Sequence, residues 1–294
     1  MSAVLTIKKT IKAILPYYII QFLKRIALFF LRLFNSLGNN KQCYICKKTF
    51  FHFEKFGTIE FRDNVNLRKK YFNFNMIGSD INNCICPFCS CGDRVRHFFA
   101  YFDKLNLWPK ENSRVLHFAP EKALSKKLES SNLLEYIKAD LNPKTYVDER
   151  IVNGHICGGI KDVKKVDLME IPFKDNYFDI VICTHVLEHV PDMQKGIAEI
   201  HRVLKNGGFA ILQTPFSKLL HKHFEDSGIA TDEQRTLFYG QHDHVRLVSE
   251  KQFLNDLENH GFKLDIVKHK DLFDSNFAKI YGVNSKEDLI RVAK

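Results

Sequence analysis

From Arg114 to the C-terminus, short β-branched runs alternate with helical stretches, and this alternation constrains the fold more than any other feature. "RVLHFA" leads into a polar helix with Leu124 and Leu128. "EYIKAD" and "FDIVICT" follow, then "MQKGIAEIHRVL", "FAILQT", "EKQFLNDLENHG", "FKLDIVKH" and "DLIRVA". Strand-like runs separated by helices of about 10–15 residues predict βαβ units and a parallel, doubly wound α/β sheet over residues 109–294. At 294 residues, with 45% hydrophobic and 27% charged residues, the chain has room for that domain plus a small module.

The first 36 residues read differently. "ILPYYIIQFLKRIALFFLRLF" is strongly apolar, but Lys24, Arg25 and Arg32 break it. Its longest uncharged run, Ala13 to Leu23, has 11 residues where a bilayer span needs about 20. Wound as a helix, Gln21, Lys24, Arg25, Arg32 and Asn35 fall on one narrow stripe. Residues 1–36 are therefore expected to form a basic amphipathic helix lying in a membrane interface; packing on the chain's own domain or on a dimer partner is the other reading. Six of the net +10 charges (Lys8, Lys9, Lys12, Lys24, Arg25 and Arg32) sit here without an acidic neighbour, leaving +4 for the rest. That distribution argues for a basic anchor and against a nucleic-acid binder. The expected location is cytoplasmic, peripheral on the inner face of the cell membrane.

Residues 37–108 form a Cys-, Phe- and Lys-rich module with little helical periodicity. Cys43-x2-Cys46 and Cys86-x2-Cys89 are separated by 39 residues, and two such knuckles can supply four thiolates to a closed structural zinc site. No cleavable signal peptide is expected, so metal ligation is favoured over disulfides. Cys84 and Cys91 flank the second pair in "CICPFCSC", and either could replace a ligand; the repeated spacing favours Cys86 and Cys89. In "GDRVRH", Arg94, Arg96 and His97 could hold the module to the main domain or meet an anionic substrate.

The turn after the first strand of the α/β region, "LHFAPE", holds His117, Ala119, Pro120 and Glu121 where a cofactor loop would carry glycines. Asp140 ends the second strand, placed to accept ribose hydroxyls of an adenosyl or dinucleotide ligand. "DLMEIPFKDNYFDIVICTHVLEH" and "RVLKNGGFAIL" then complete a pattern that resembles the class I S-adenosylmethionine-dependent methyltransferases over residues 114–294. "CPFCSCGDRVR", "LHFAPE" and "YGQHDHVR" resemble a subgroup with a two-knuckle zinc module and a glycine-poor first loop.

The resemblance implies a Rossmann-like doubly wound sheet with an antiparallel last strand, "DLIRVA", and S-adenosylmethionine as cofactor beside structural zinc. It also implies site roles. Asp140 would bind ribose, and Asp167 would accept from the adenine amino group. Leu168 would offer its backbone to the ring, and Thr184 or His185 would line the methyl-bearing end. Backbone N–H groups at the helix start after Pro120 can face the methionine carboxylate, and Glu121 could pair with its ammonium. His117 stands where an acid often does this; it is a candidate ligand residue or a satisfied buried histidine.

"HVLEH" matches the H-x-x-E-H of zinc peptidases, but His185 follows a strand directly and Pro191 comes soon after. It is expected to be a loop and short turn without peptidase chemistry. His185 and His189 remain candidate bases for an acceptor hydroxyl. "GQHDHVR" offers His242, Asp243 and His244 as a second set, with Arg246 for an anionic group. The function expected is O-methylation of a small-molecule, sugar or lipid-linked glycan acceptor. An rRNA base methyltransferase and a non-catalytic adaptor with this fold are the alternatives.

Overall fold

In the computed structural model, residues 32–55, 74–147 and 159–294 are described throughout. The backbone of 150–152 and 155–157 and isolated positions between 19 and 30 are also described. Most of the amphipathic segment 1–36 lies outside the described residues. Residues 32–35 are helical, and Asn35 anchors that end: its side chain donates to the His52 carbonyl and accepts from the Phe51 and His52 N–H groups.

Strands β1 (Lys41–Gln42) and β2 (Thr49–Phe50) pair antiparallel beside the first knuckle, and β3 (Met76–Ile77) lies beyond. Helix α1 (Asp93–Leu105) follows the second knuckle. The expectation of little helical structure in 37–108 fails here. Asp93, Arg96 and His97 lie on the buried face of α1 with Val95, Phe98, Ala100, Tyr101 and Phe102, so the apolar stripe that marks a helix is interrupted. The apolar residues of α1 join the core of the α/β domain, packing with Val115, Leu124, Ile180, Ile182 and Ile211. The chain therefore has no structural break at residue 108.

The α/β region runs β4 (Arg114–Phe118), α2 (Lys122–Glu129), β5 (Glu135–Asp140), a hairpin of β6 (Arg150–Val152) and β7 (His155–Cys157), and β8 (Val163–Lys165). It continues with β9 (Phe178–Thr184), α3 (Met193–Val203), β10 (Leu204–Gln213), β11 (Phe216–Ser217) and α4 (Asp232–Tyr239). Then come β12 (Val248–Ser249), α5 (Glu250–Asn259), β13 (Lys263–Val267), α6 (His269–Leu272), α7 (Phe277–Tyr281) and β14 (Leu289–Ala293).

Seven strands form one sheet in the order β13-β14-β10-β9-β4-β5-β8. The five from β10 to β8 are parallel, and β14 runs antiparallel to both neighbours. This is the Rossmann-like sheet with its antiparallel "DLIRVA" strand. Alternation along the strands fills both faces: Val115, Ile180, Ile182 and Ile211 pack with α1 and α2, while Leu116, Val181, Cys183 and Leu212 pack with α3 and α5. The chain leaves β4 toward β5 and β8, then returns to β9 on the other side. The strand order thus reverses between β4 and β9, opening a crevice at their carboxyl ends.

Candidate functional site

The loop leaving β4 answers the glycine question. Ala119 has φ 47°, the left-handed conformation a glycine would adopt freely, and its N–H donates to the Ala139 carbonyl at 3.0 Å. Pro120 is buried behind it and α2 begins two residues later. The turn keeps the geometry of a glycine loop with the smallest side chain that still has a Cβ.

Glu121 spans the crevice floor. Its Oε2 lies 2.9 Å from His117 Nε2, and its Oε1 accepts from Thr184 Oγ1 at 2.9 Å, tying the β4 loop to the end of β9. Burial works to raise its pKa, but the His117 hydrogen bond and charge outweigh it, so the carboxyl stays below its ordinary range. His117 is fully buried, with Nδ1 2.8 Å from the Tyr136 hydroxyl. It stands behind Glu121 and orients it; a ligand would meet the glutamate.

Asp140 ends β5 with Oδ1 accepting from the Asn142 N–H at 2.7 Å and Oδ2 from the Tyr146 hydroxyl at 2.8 Å. Each oxygen keeps one further accepting lone pair. Asp167 accepts from the Met169 N–H, and Leu168 is buried against α3 at Gly196. Glu121, Asp140 and Thr184 therefore stand around one crevice, with Asp167 on the chain leaving β8.

The segment after β9 is a loop and a short turn, as expected for "HVLEH". His185 takes φ 54°, its N–H donating to the Gln213 carbonyl at 2.7 Å. Its Nδ1 lies 3.5 Å from Glu188 Oε1 and its Nε2 3.9 Å from Glu287 Oε1. Burial lowers the His185 pKa, but these two carboxylates prevail and the net shift is upward. Glu188 is 1% exposed, with Oε2 accepting from Thr214 Oγ1 at 2.9 Å. Burial alone would raise it, yet the hydrogen bond and charge of His185, with His189 and His244, bring it down to about 2.

His189 and His244 meet edge-to-face at 4.7 Å, and burial lowers His244 to about 4. His189 Nδ1 is 3.1 Å from the Asp243 carbonyl. His185, His189, Asp243 and His244 are thus brought together, whereas His242 is exposed on the loop. Arg246 does not face an anionic ligand: it is buried, bonds the Leu187, Val190 and Pro191 carbonyls and pairs with Glu225. Glu188, Thr214 and Glu287 were not anticipated; only Glu188 left a trace in the sequence, inside "HVLEH".

The cysteine cluster fits a cation. Cys43, Cys46, Cys86 and Cys89 bring their sulfurs within 4.8 Å of one another. The pairs Cys43–Cys89 and Cys46–Cys86 stand at 3.7 and 3.8 Å, matching the roughly 3.8 Å edge of a tetrahedron built on a Zn–S bond of about 2.3 Å. Both knuckles close alike, Lys47 N–H donating to Cys43 O and Ser90 N–H to Cys86 O, with Lys47 and Ser90 left-handed. Cys84 turns away to donate to Asp93, while Cys91 Sγ rests 3.4 Å from Cys43 Sγ. These four thiolates could hold zinc.

Residues 120–212 match the methyltransferase domain family. The matched segment contains Glu121, Asp140, Asp167, Leu168 and Thr184. Over 126 residues the chain is 30% identical to a sterol 24-C-methyltransferase of Neurospora crassa, covering 42% of this chain and 31% of that protein. Over 92 residues it is 33% identical to the ubiquinone/menaquinone biosynthesis C-methyltransferase UbiE of Stutzerimonas stutzeri, covering 31% of this chain and 35% of that one. The chain thus spans about a third of the length of these relatives. A solved S-adenosylmethionine-dependent methyltransferase from Mesorhizobium loti is similar at 15% identity, with 66% of this chain and 98% of that chain covered and a TM-score of 0.47.

Proposed function

We propose that this chain is an S-adenosylmethionine-dependent methyltransferase that methylates a hydroxyl of a small-molecule, sugar or lipid-linked glycan acceptor. The observation that carries this reading is the placement of Glu121, Asp140 and Thr184 around the crevice where the strand order reverses, inside the matched methyltransferase segment. When bound, S-adenosylmethionine supplies an electrophilic methyl on a sulfonium. Glu121, held anionic, would take the ammonium of its methionine portion. The start of α2 would face the carboxylate, and Asp140 would accept from the ribose hydroxyls. Asp167 and the Leu168 backbone would hold the adenine.

Displacement at the methyl needs mainly alignment and exclusion of water. The polar wall of His185, Glu188, His189 and His244 beside Thr184 supports an oxygen acceptor, whose proton an imidazole can take. A carbon acceptor is the competing reading, favoured by the names of the C-methyltransferases above. Isotope-labelled methyl traced in glycolipid extracts separates the two by the atom that carries it.

Residues 1–36 would hold the chain to the inner face of a membrane. Their basic charge and the exposed Phe29, Phe30, Leu33 and Phe34 support this. No helix among the described residues is long and apolar enough to cross a membrane.

Calorimetry with S-adenosylhomocysteine tests the core of the proposal. Binding by zinc-loaded protein, weakened at least about tenfold by Asp140→Ala, is expected, one charge-assisted hydrogen bond lost being worth about 1.5–3 kcal/mol. No binding by folded protein points instead to an adaptor that kept the fold. Salt-sensitive binding to structured RNA without residues 1–36 would point to an rRNA enzyme.

A further inference from the structure

We infer that Glu188, His189 and His244 form a second metal site, distinct from the cysteine cluster, which takes a divalent transition ion and leaves positions open for an oxygen ligand. The three offer ligand atoms within 4.8 Å of one another, at the carboxyl edge of the sheet.

Three features fit a metal rather than a simple hydrogen-bonded cluster. His189 directs Nδ1 to the Asp243 carbonyl at 3.1 Å, with the Asp243 carboxylate 3.5 Å away. That fixes the proton on Nδ1 and leaves the Nε2 lone pair facing Glu188 Oε1, 3.8 Å away. A second ring nitrogen bonded to a carbonyl or carboxylate is the usual support of a metal-bound histidine. Glu188 is held the same way: Thr214 engages Oε2 and leaves Oε1 toward the imidazoles. The segment carrying His244 is fastened to the Glu188 loop by the Val245 N–H on the Glu188 carbonyl and by Arg246 on three carbonyls of residues 187–191. Two imidazoles and one carboxylate suit Zn2+, Fe2+, Co2+ or Mn2+ and leave coordination positions free.

The arrangement is not that of a zinc peptidase. His185, the first histidine of "HVLEH", sets Nδ1 3.5 Å from Glu188 Oε1 and Nε2 3.9 Å from Glu287 Oε1, flanking the three-residue group without belonging to it. Resting on the proposed methyl transfer, the open positions would take one or two oxygens of a hydroxylated acceptor, a vicinal diol being the best match. A metal-bound hydroxyl loses its proton more readily, so the site would reduce the need for a strong base.

The test uses the full chain with its cysteine site loaded with zinc. Metal content is counted by mass spectrometry, then Co2+ and Mn2+ are titrated by calorimetry. One further equivalent per chain is expected. It should be lost in Glu188→Gln and His189→Gln and weakened about 10–100-fold in Thr214→Val, with zinc retained. His189 is one-third exposed, so its variant keeps the test valid should Glu188→Gln unfold. No second equivalent in the wild type, or an undiminished one in His189→Gln, overturns the inference. S-adenosylhomocysteine binding measured on the same samples reports on the proposed function separately: either result can fail while the other stands.

Discussion

Arg96 should contribute more to stability than any surface charge on this chain. It is fully buried, and its five N–H groups each have a carbonyl acceptor. Nε donates to Tyr281, one terminal nitrogen to Cys84 and Cys91, and the other to Asn83 and Gly282. The guanidinium also lies 4.0 Å from the centre of the Phe53 ring. Arg96→Ala would strand the Cys84, Cys91 and Gly282 carbonyls away from water, at about 1–3 kcal/mol each before relaxation. Water entering the gap recovers part, so a net loss of about 4 kcal/mol is expected, a large share of the roughly 5–15 kcal/mol of a typical domain. Arg96→Lys keeps the charge but has three donors and no planar fork, and should lose about 2 kcal/mol. Urea unfolding at fixed free zinc, followed by circular dichroism and by zinc release to a chromophoric chelator, measures both. A loss under about 1 kcal/mol for Arg96→Ala, or wild-type stability for Arg96→Lys, would refute the reasoning, because buried carbonyls cannot be stranded so cheaply.

In the loop after β4, Ala119→Gly relieves a left-handed alanine worth about 1 kcal/mol but loosens the unfolded chain by about 0.4–1 kcal/mol, so thermal melting should barely move. Ala119→Val should lower stability by more than about 1 kcal/mol, since a branched side chain tolerates that φ least. His97 gives a pH signature. Burial, with His269 and Arg96 nearby and only Glu287 opposing, lowers it to about 3. The folded chain therefore binds fewer protons than the unfolded one below about pH 6.5. Stability from this group is complete above that pH and falls by about 1.4 kcal/mol per unit toward pH 3. Urea titrations at pH 7, 6 and 5 should show that slope, shallower in His97→Phe; equal slopes would exclude it. Cys89→Ser should release zinc while Cys84→Ser and Cys91→Ser retain it, read by metal content after dialysis. Zinc loss in Cys91→Ser would move the ligand set.

The α/β half was legible because its strands alternate faces and α3 carries an apolar stripe of Met193, Ile197, Ile200 and Val203. Glu121 and Asp140 could be located from strand ends, since Asp140 closes β5 and Glu121 follows β4 by three residues, and the carboxyl ends of parallel strands meet at the crevice. Helix α1 was hidden because Asp93, Arg96 and His97 share its buried face, and their partners come from residues near 83, 269 and 281. Glu287 and Thr214 were unreadable for a similar reason: they reach His185 and Glu188 only through the packing of β10 against β9 and β14. Arg246 misled because an exposed basic loop and a buried carbonyl clamp look alike in sequence.

The position of α1 links the two ends of the molecule. Through Arg96 it grips the second knuckle and the chain around Gly282, where Phe53 packs so closely that any Cβ would collide. Lys41 on the Lys279 carbonyl and Asn284 on the Gly78 carbonyl fasten the same seam. Further along α1, Tyr101 donates to the Glu287 carbonyl, and the Glu287 carboxylate faces Gln213 and His185. A cysteine module that only filled space would not need a buried arginine with every donor committed. Its closure sets where α1 lies, α1 helps fix Glu287, and Glu287 faces the histidine beside the crevice. The knuckles therefore support, through α1, the wall that carries His185, while Glu121 and Asp140 are held from β4, β9 and the loop after β5.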